Sequence, residues 1–144
     1  MGLGIISPYI IAVIVAWILA HIIKHIVSVI KGERRSLSGL FESGGMPSSH
    51  SASVVALMTV IGFRDHFESG LFGLAALFAL IVMYDAMKVR RSSGEQGVAV
   101  HKLIKEHSSD INLPRISIGH TPLEVLAGAI LGAIIGAVVF LSTK

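Results

Sequence analysis

Cysteine is absent from this 144-residue chain, which removes disulfide scaffolds, thiolate metal sites and cysteine nucleophiles together. Charge is scarce as well. Asp, Glu, Lys and Arg make up 15% of the residues, against about 25% in an ordinary soluble domain. With 53% hydrophobic residues and a mean hydropathy of +0.77, too little charge remains to coat a soluble globule of this size. The same composition excludes disorder. Neither sign of charge dominates: 12 Lys and Arg against 9 Asp and Glu leave a formal net charge of +3, too small and too dispersed for a nucleic-acid binder. The first residues lack a positively charged stretch and a small-residue cleavage site, so the first apolar run is expected to be a span and not a signal peptide. What the chain has in abundance is apolar sequence, and that points to a lipid bilayer. Its length suggests a single membrane-embedded domain over residues 1–144.

A membrane-crossing helix needs about 20 mostly apolar residues. Residues 8–30 supply one such run, opened by Pro8, and residues 70–87 and 122–141 supply two more. Residues 51–63 are short and reach marginal spanning length when extended back to Pro47. The expected fold is therefore an all-α, integral membrane bundle of about four helices, the second one short. Two polar connections, 31–46 and 88–121, fall on one side of such a bundle. Within the second, Ser92-Ser93-Gly94-Glu95 reads as a capping box opening a short helix that ends at His107. Its mixture of Val98, Val100, Leu103 and Ile104 with Lys102, Lys105 and Glu106 suits the membrane interface. The two connections hold Lys31, Arg34, Arg35, Lys88, Arg90, Arg91, Lys102, Lys105 and Arg115, whereas the opposite side has Arg64 and Lys144. The positive-inside rule then places the connections in the cytoplasm, and a bacterial inner membrane is the expected location.

Three clusters ask for more than packing. The first is GGMPSSHSAS, residues 44–53: two glycines, Pro47 expected at a first helical position, then Ser48, Ser49 and His50. A loop feeding a helix N-terminus attracts anions, phosphate included. The serines add hydroxyl donors, and the imidazole can protonate a leaving oxygen near neutral pH. A capped helix with a spectator histidine explains PSSH alone equally well. The second cluster is residues 119–136, where His120, Glu124, Gly128, Gly132 and Gly136 recur every four residues and so share roughly one helix face. Close helix packing in a membrane accounts for the glycines. A carboxylate one turn from an imidazole adds something else, because it can hold one ring nitrogen and leave the other nucleophilic. The third is YDAMKVRR, residues 84–91. Asp85 ends an apolar run, where an ionisable group is functional by default, and Arg90 and Arg91 suit phosphate oxygens. An Asp–Arg pair anchoring the span is the competing account. Lys24 and His21, near the end of the first span, could snorkel to the interface, and His25, His66, His101 and His107 read as surface residues.

The segments GGMPSSHSA, VMYDAMKVRRSSGEQ and GHTPLEV resemble the divergent branch of the phosphatidic acid phosphatase type-two superfamily, which also includes bacterial acid phosphatases and vanadium haloperoxidases. The resemblance covers about residues 21–136, with three motifs in order. It implies a metal-independent phosphatase with a histidine nucleophile and no cofactor. By that resemblance His120 attacks phosphorus and forms a phosphohistidine, His50 acts as general acid toward the leaving group, and Glu124 orients the nucleophile where the superfamily usually has Asp. The chain also departs from the pattern. The first motif, Lys-x6-Arg-Pro, is missing: Lys31 stands seven residues beyond Lys24, and neither Arg34 nor Arg35 precedes a proline. Pro114 occupies the place of the arginine six residues before the last histidine, with Arg115 one position off, and Ser49 replaces the motif glycine. Clamping of phosphate then falls to Lys24, Arg90, Arg91 or Arg115. Membrane members of the superfamily usually have six spans, and a second copy of the chain is one way to make up the difference.

Three function classes follow. The leading expectation is hydrolysis of a lipid phosphate or diphosphate ester, with pre-placed donors favouring the charge of the transition state. A non-catalytic membrane protein that binds lipid phosphates or serves as a scaffold is the alternative. A small transporter is a third reading, motivated by Asp85 and the glycine-striped last helix, but no inverted repeat is visible to support it. A metal site is disfavoured, since His50 and His120 lack a set of carboxylate ligands and no HExxH pattern occurs.

Overall fold

The computed structural model describes residues 7–32, 44–107, 112, 113, 116 and 119–144. Arg34, Arg35 and Arg115, named above as cations, lie outside the described residues. Helix α1 runs over Pro8–Ile30 with proline in its first turn, where its missing N–H costs no hydrogen bond. Its buried residues are Ala12, Ala16, Ala20, Lys24 and Ser28, one every four positions. That spacing lets a neighbouring backbone approach closely along a single narrow face.

Helix α2 (Ser49–Asp65) is the centre of the bundle and packs against α1, α3 and α5. Its 17 residues extend about 26 Å, a little short of a hydrocarbon core of about 30 Å. The N-cap is Ser48, whose side chain accepts from the Ser51 N–H. Pro47 therefore precedes the cap, contrary to its expected place inside the first turn.

Helix α3 (Gly70–Tyr84) begins at Ser69, whose Oγ accepts from the Phe72 N–H at 3.1 Å. It passes without a break through a π-turn at Asp85–Val89 into α4 (Arg90–Glu106). The expected capping box at Ser92–Glu95 does not form: α4 has no side-chain cap, and the backbone leading into it is already helical. Arg91 instead reaches Glu95 at 3.3 Å and Gln96 reaches Ser92 at 3.4 Å, both contacts along a continuing helix. Returning toward the bundle, Ile116 packs on Gly97 of α4.

Helix α5 (Pro122–Ser142) opens with a complete capping box, in which the Thr121 hydroxyl accepts from the Glu124 N–H and the Glu124 carboxylate accepts from the Thr121 N–H. Its most extensive contact is with α2, and the three glycines make that contact possible. A Cβ on Gly128 or Gly132 would overlap the carbonyl oxygen of Ser48 or Ala52, and one on Gly136 would lie 2.7 Å from that of Ala56. The two backbones meet directly over three turns, as the stripe leads one to expect.

Small side chains fill the middle of the bundle: Ala12, Ala16 and Ala20 of α1 against Ala52, Ala56 and Val60 of α2, closed by Ile135 and Val139 of α5. Large apolar side chains such as Ile10, Ile14, Leu74, Ile134 and Val138 point outward, the arrangement a bilayer favours and water does not. Among the described residues, three helical stretches are long and apolar enough to cross a membrane: Pro8–Ile30, Gly70–Glu106 and Pro122–Ser142.

Two contacts fix the directions of the helices. Tyr9 at the start of α1 donates to Asp65 at the end of α2 over 2.7 Å, and Arg64 donates to Thr143 beyond α5. The start of α1 and the ends of α2 and α5 therefore share one end of the bundle. The other end gathers the last turns of α1, the π-turn, and the starts of α2 and α5.

Candidate active site

All nine candidate residues lie at that second end, carried by four segments. His120 sits immediately before α5, buried at 3% exposure, with Nδ1 3.1 Å from Glu124 Oε2. Glu124 is fixed from two directions, since the same oxygen accepts from the Thr121 N–H at 3.0 Å and its backbone carbonyl accepts from the Ser48 N–H at 3.0 Å. With the carboxylate as partner, Nδ1 keeps the ring proton, and the lone pair of Nε2 is left for chemistry. Burial pushes the His120 imidazole below its ordinary value of 6.5; the hydrogen bond and charge of Glu124 work against this, and the charges of Lys24 and Arg90 add to it. The downward shift favours the neutral ring near pH 7.

His50 occupies the first turn of α2 and is exposed. His120, Arg90, Lys24 and His21 all lie within its electrostatic reach. Lys24 and Arg90 act on both histidines, so the structure brings His50, His120, Glu124, Lys24 and Arg90 to one helix-end cluster, with Asp85 held on Arg90. Lys24 is 4% exposed. It continues the buried alanine stripe of α1 and does not snorkel outward, because its position is in register with Ala12, Ala16 and Ala20. With Ser28, Lys31, Gly45 and Glu124 it lines a small polar cavity of about 100 Å³. His21 differs from the snorkelling expectation too: its Nδ1 meets the Trp17 carbonyl at 2.8 Å and its ring packs on Trp17.

The serines are less available than their sequence suggested. Ser48 is fully buried, and its Oγ accepts from both the N–H and the hydroxyl of Ser51, at 3.4 and 3.0 Å. Ser49 is buried as well, leaving the first turn of α2 to present His50. Nor are the two arginines equivalent. Arg90 Nε lies 2.6 Å from Asp85 Oδ2, and its charge acts on both histidines. Arg91 turns along α4 to Glu95, with 54% of its side chain exposed. Adjacent residues point about 100° apart on a helix, and only one of them can face the site. Arg90→Ala is expected to weaken orthovanadate binding about tenfold or more, the scale of a charge-assisted hydrogen bond, while Arg91→Ala changes it less than twofold. Calorimetric titration of the two proteins checks the difference; equal losses would mean that both side chains reach the anion.

Sequence reasoning missed how the segment bearing His120 is held. The His120 N–H donates to the Ala86 carbonyl at 2.9 Å, and Gly119 lies so close to the π-turn that a Cβ there would overlap the Arg91 backbone and come within 2.9 Å of Ala86 O. The GH dipeptide was the available signal: glycine is the residue that lets one backbone touch another. His25, read from sequence as a surface residue, is half-buried and has an Nδ1 shielded from solvent without a hydrogen-bond partner.

A curated relative, "Uncharacterized membrane protein YuiD" of Bacillus subtilis (strain 168), is 37% identical over 108 residues, which cover 65% of this chain and 68% of the relative. No solved structure matches the chain. The family described as "Divergent PAP2 family" matches residues 6–135, a span that takes in α1, the PSSH turn, the π-turn and the His120–Glu124 pair. The chain is an integral membrane protein and belongs to the divergent PAP2 family.

Proposed function

We propose that the protein is a metal-independent phosphatase acting on a lipid phosphate or diphosphate ester through a phosphohistidine. The observation that carries this reading is the buried His120 held by Glu124 at 3.1 Å, within electrostatic range of His50 and Arg90. Nε2 of neutral His120 attacks phosphorus, and the bond from phosphorus to the ester oxygen breaks. The negative charge of the bound phosphate favours the protonated form of His50, which gives its proton to that oxygen, and the oxygen departs as the alcohol, or as a phosphate when the substrate is a diphosphate. Water then attacks the phosphohistidine and yields a proton to the now neutral His50. The P–N bond breaks, Nε2 recovers its electron pair, and inorganic phosphate leaves. Arg90 and Lys24 offset the charge on the phosphoryl oxygens throughout, and placing them in advance is the largest help such a site can give.

A lipid substrate is favoured by an apolar groove of about 640 Å³ between α3 and α5. Leu80, Tyr84, Met87, Pro122, Val125 and Leu126 line it, so its upper end adjoins the π-turn on one wall and His120 on the other. A hydrocarbon chain lying there would bring its phosphate to the helix ends. Phosphate release from a panel of lipid phosphates and diphosphates by the purified protein in EDTA tests the reading. Release that needs added metal, or that persists in His120→Ala, would overturn it. Cytoplasmic placement of the site, from the distribution of cations, belongs to the same proposal.

A further inference from the structure

Asp85 is out of place in an anion site. Its carboxylate stands beside the cation that would grip phosphate, where simple electrostatics predicts that it weakens binding. Its geometry suggests another role. Five residues separate Asp85 from Arg90, about 1.4 turns of an α-helix, which would point the two side chains in different directions. The π-turn at Asp85–Val89 lengthens this part of the helix by one residue per turn and brings Arg90 Nε to 2.6 Å from Asp85 Oδ2. That contact engages Nε alone and leaves the terminal nitrogens of the guanidinium for an outside partner. The turn has a second consequence. In an α-helix the Arg90 N–H would go to the Ala86 carbonyl; here it goes to Asp85 O, and the Ala86 carbonyl accepts from the His120 N–H instead.

We infer that the π-turn is the positioning device of the site, with Asp85 as a positioning residue that sets the Arg90 fork while the released Ala86 carbonyl fixes the backbone of His120. One short stretch of helix thereby locks the anion-binding cation and the nucleophile at a constant separation. This inference rests on the phosphatase reading for its purpose, yet its core is a statement about anion binding that can be tested without turnover.

The experiment measures orthovanadate binding to the purified full chain by calorimetry, alongside phosphate release, for wild type, Asp85→Asn, Asp85→Glu and Arg90→Lys. Removing a negative charge should tighten anion binding if Asp85 is only a neighbour. As a positioning residue its loss should weaken binding, by up to the roughly tenfold that Arg90 itself contributes. Asp85→Glu should recover part of the affinity because it can still reach Nε. Arg90→Lys keeps the charge but has no fork to be held at one end and bind at the other, so it should lose a comparable amount. Arg90 is half-exposed, and Arg90→Lys keeps the inference testable if an Asp85 variant fails to fold. Asp85→Asn binding orthovanadate as tightly as wild type, or Arg90→Lys doing so, would overturn the inference while leaving any measured phosphatase activity intact. Binding that weakens as expected in a protein that releases no phosphate would uphold the inference and sink the catalytic reading. A wild-type protein that neither binds nor turns over would remove both.

Discussion

His120→Ala is expected to release phosphate only at background, a loss of about 10⁴-fold or more, the scale on which enzymes lose a covalent nucleophile. No other described side chain takes its place, because the backbone bond to Ala86 and the carboxylate of Glu124 present this ring and no neighbour. His50→Ala should behave differently. General-acid help is worth roughly 10²–10⁴-fold, and it matters least when the leaving group is already acidic. The His50→Ala protein should therefore still be phosphorylated by an activated ester such as a nitrophenyl phosphate while failing on lipids. Rapid-quench measurement of phosphoenzyme with both substrates separates the roles. If His50→Ala loses activated esters and lipids equally, His50 is not the acid.

Gly132→Leu is the second large effect. Its side chain would enter a space where the α5 backbone already meets Ala52 O, with Ala56 N 3.0 Å from the place of a Cβ. Overpacking typically costs 1–3 kcal/mol, and separation of α2 from α5 moves His50 away from His120. Activity and melting temperature in detergent should fall together. Glu124→Gln should part the two. Glutamine can still serve in the capping box, so melting stays near wild type while turnover falls. The pH profile supplies a signed readout. Glu124 raises the His120 pKa against the effect of burial; removing its charge lets that pKa fall, and the acidic limb of the rate profile should move to lower pH. A limb that moves upward would contradict the assignment. A Gly132→Leu protein with normal melting and activity would mean that this face does not meet α2.

Much of this arrangement is legible in the residues themselves. The ends of α1 match the expected run of 8–30 because Pro8 and the polar residues after Ile30 mark them, and α5 exceeds its expected end by one residue. The glycine stripe announced a backbone contact, although only the fold names α2 as the partner. Lys24 was readable in principle: four-residue spacing from Ala12, Ala16 and Ala20 puts it on the buried face, but a cation in an apolar run suggests escape to water first. A separate group of departures lies at residues 84–97. Ser92-Ser93-Gly94-Glu95 satisfies a local capping rule, yet the helix arriving from α3 already supplies the carbonyls that the cap would replace. The π-turn has no local signature in DAMKV, since it coincides with the docking of Gly119 and His120 from a distant segment. Without it, nothing in the sequence decides which of Arg90 and Arg91 faces the histidines.

In the proposed mechanism phosphorus passes through Nε2 of His120. Wild-type protein incubated with a radiolabelled lipid phosphate in EDTA, quenched in alkali and digested for mass spectrometry, tests it most directly. Phosphohistidine survives base and decays in acid. The account predicts acid-labile label on the peptide that contains His120, increased when His50 is replaced and an activated ester is supplied. Label on another residue, or turnover in His120→Ala with a matching phosphoenzyme, would contradict it.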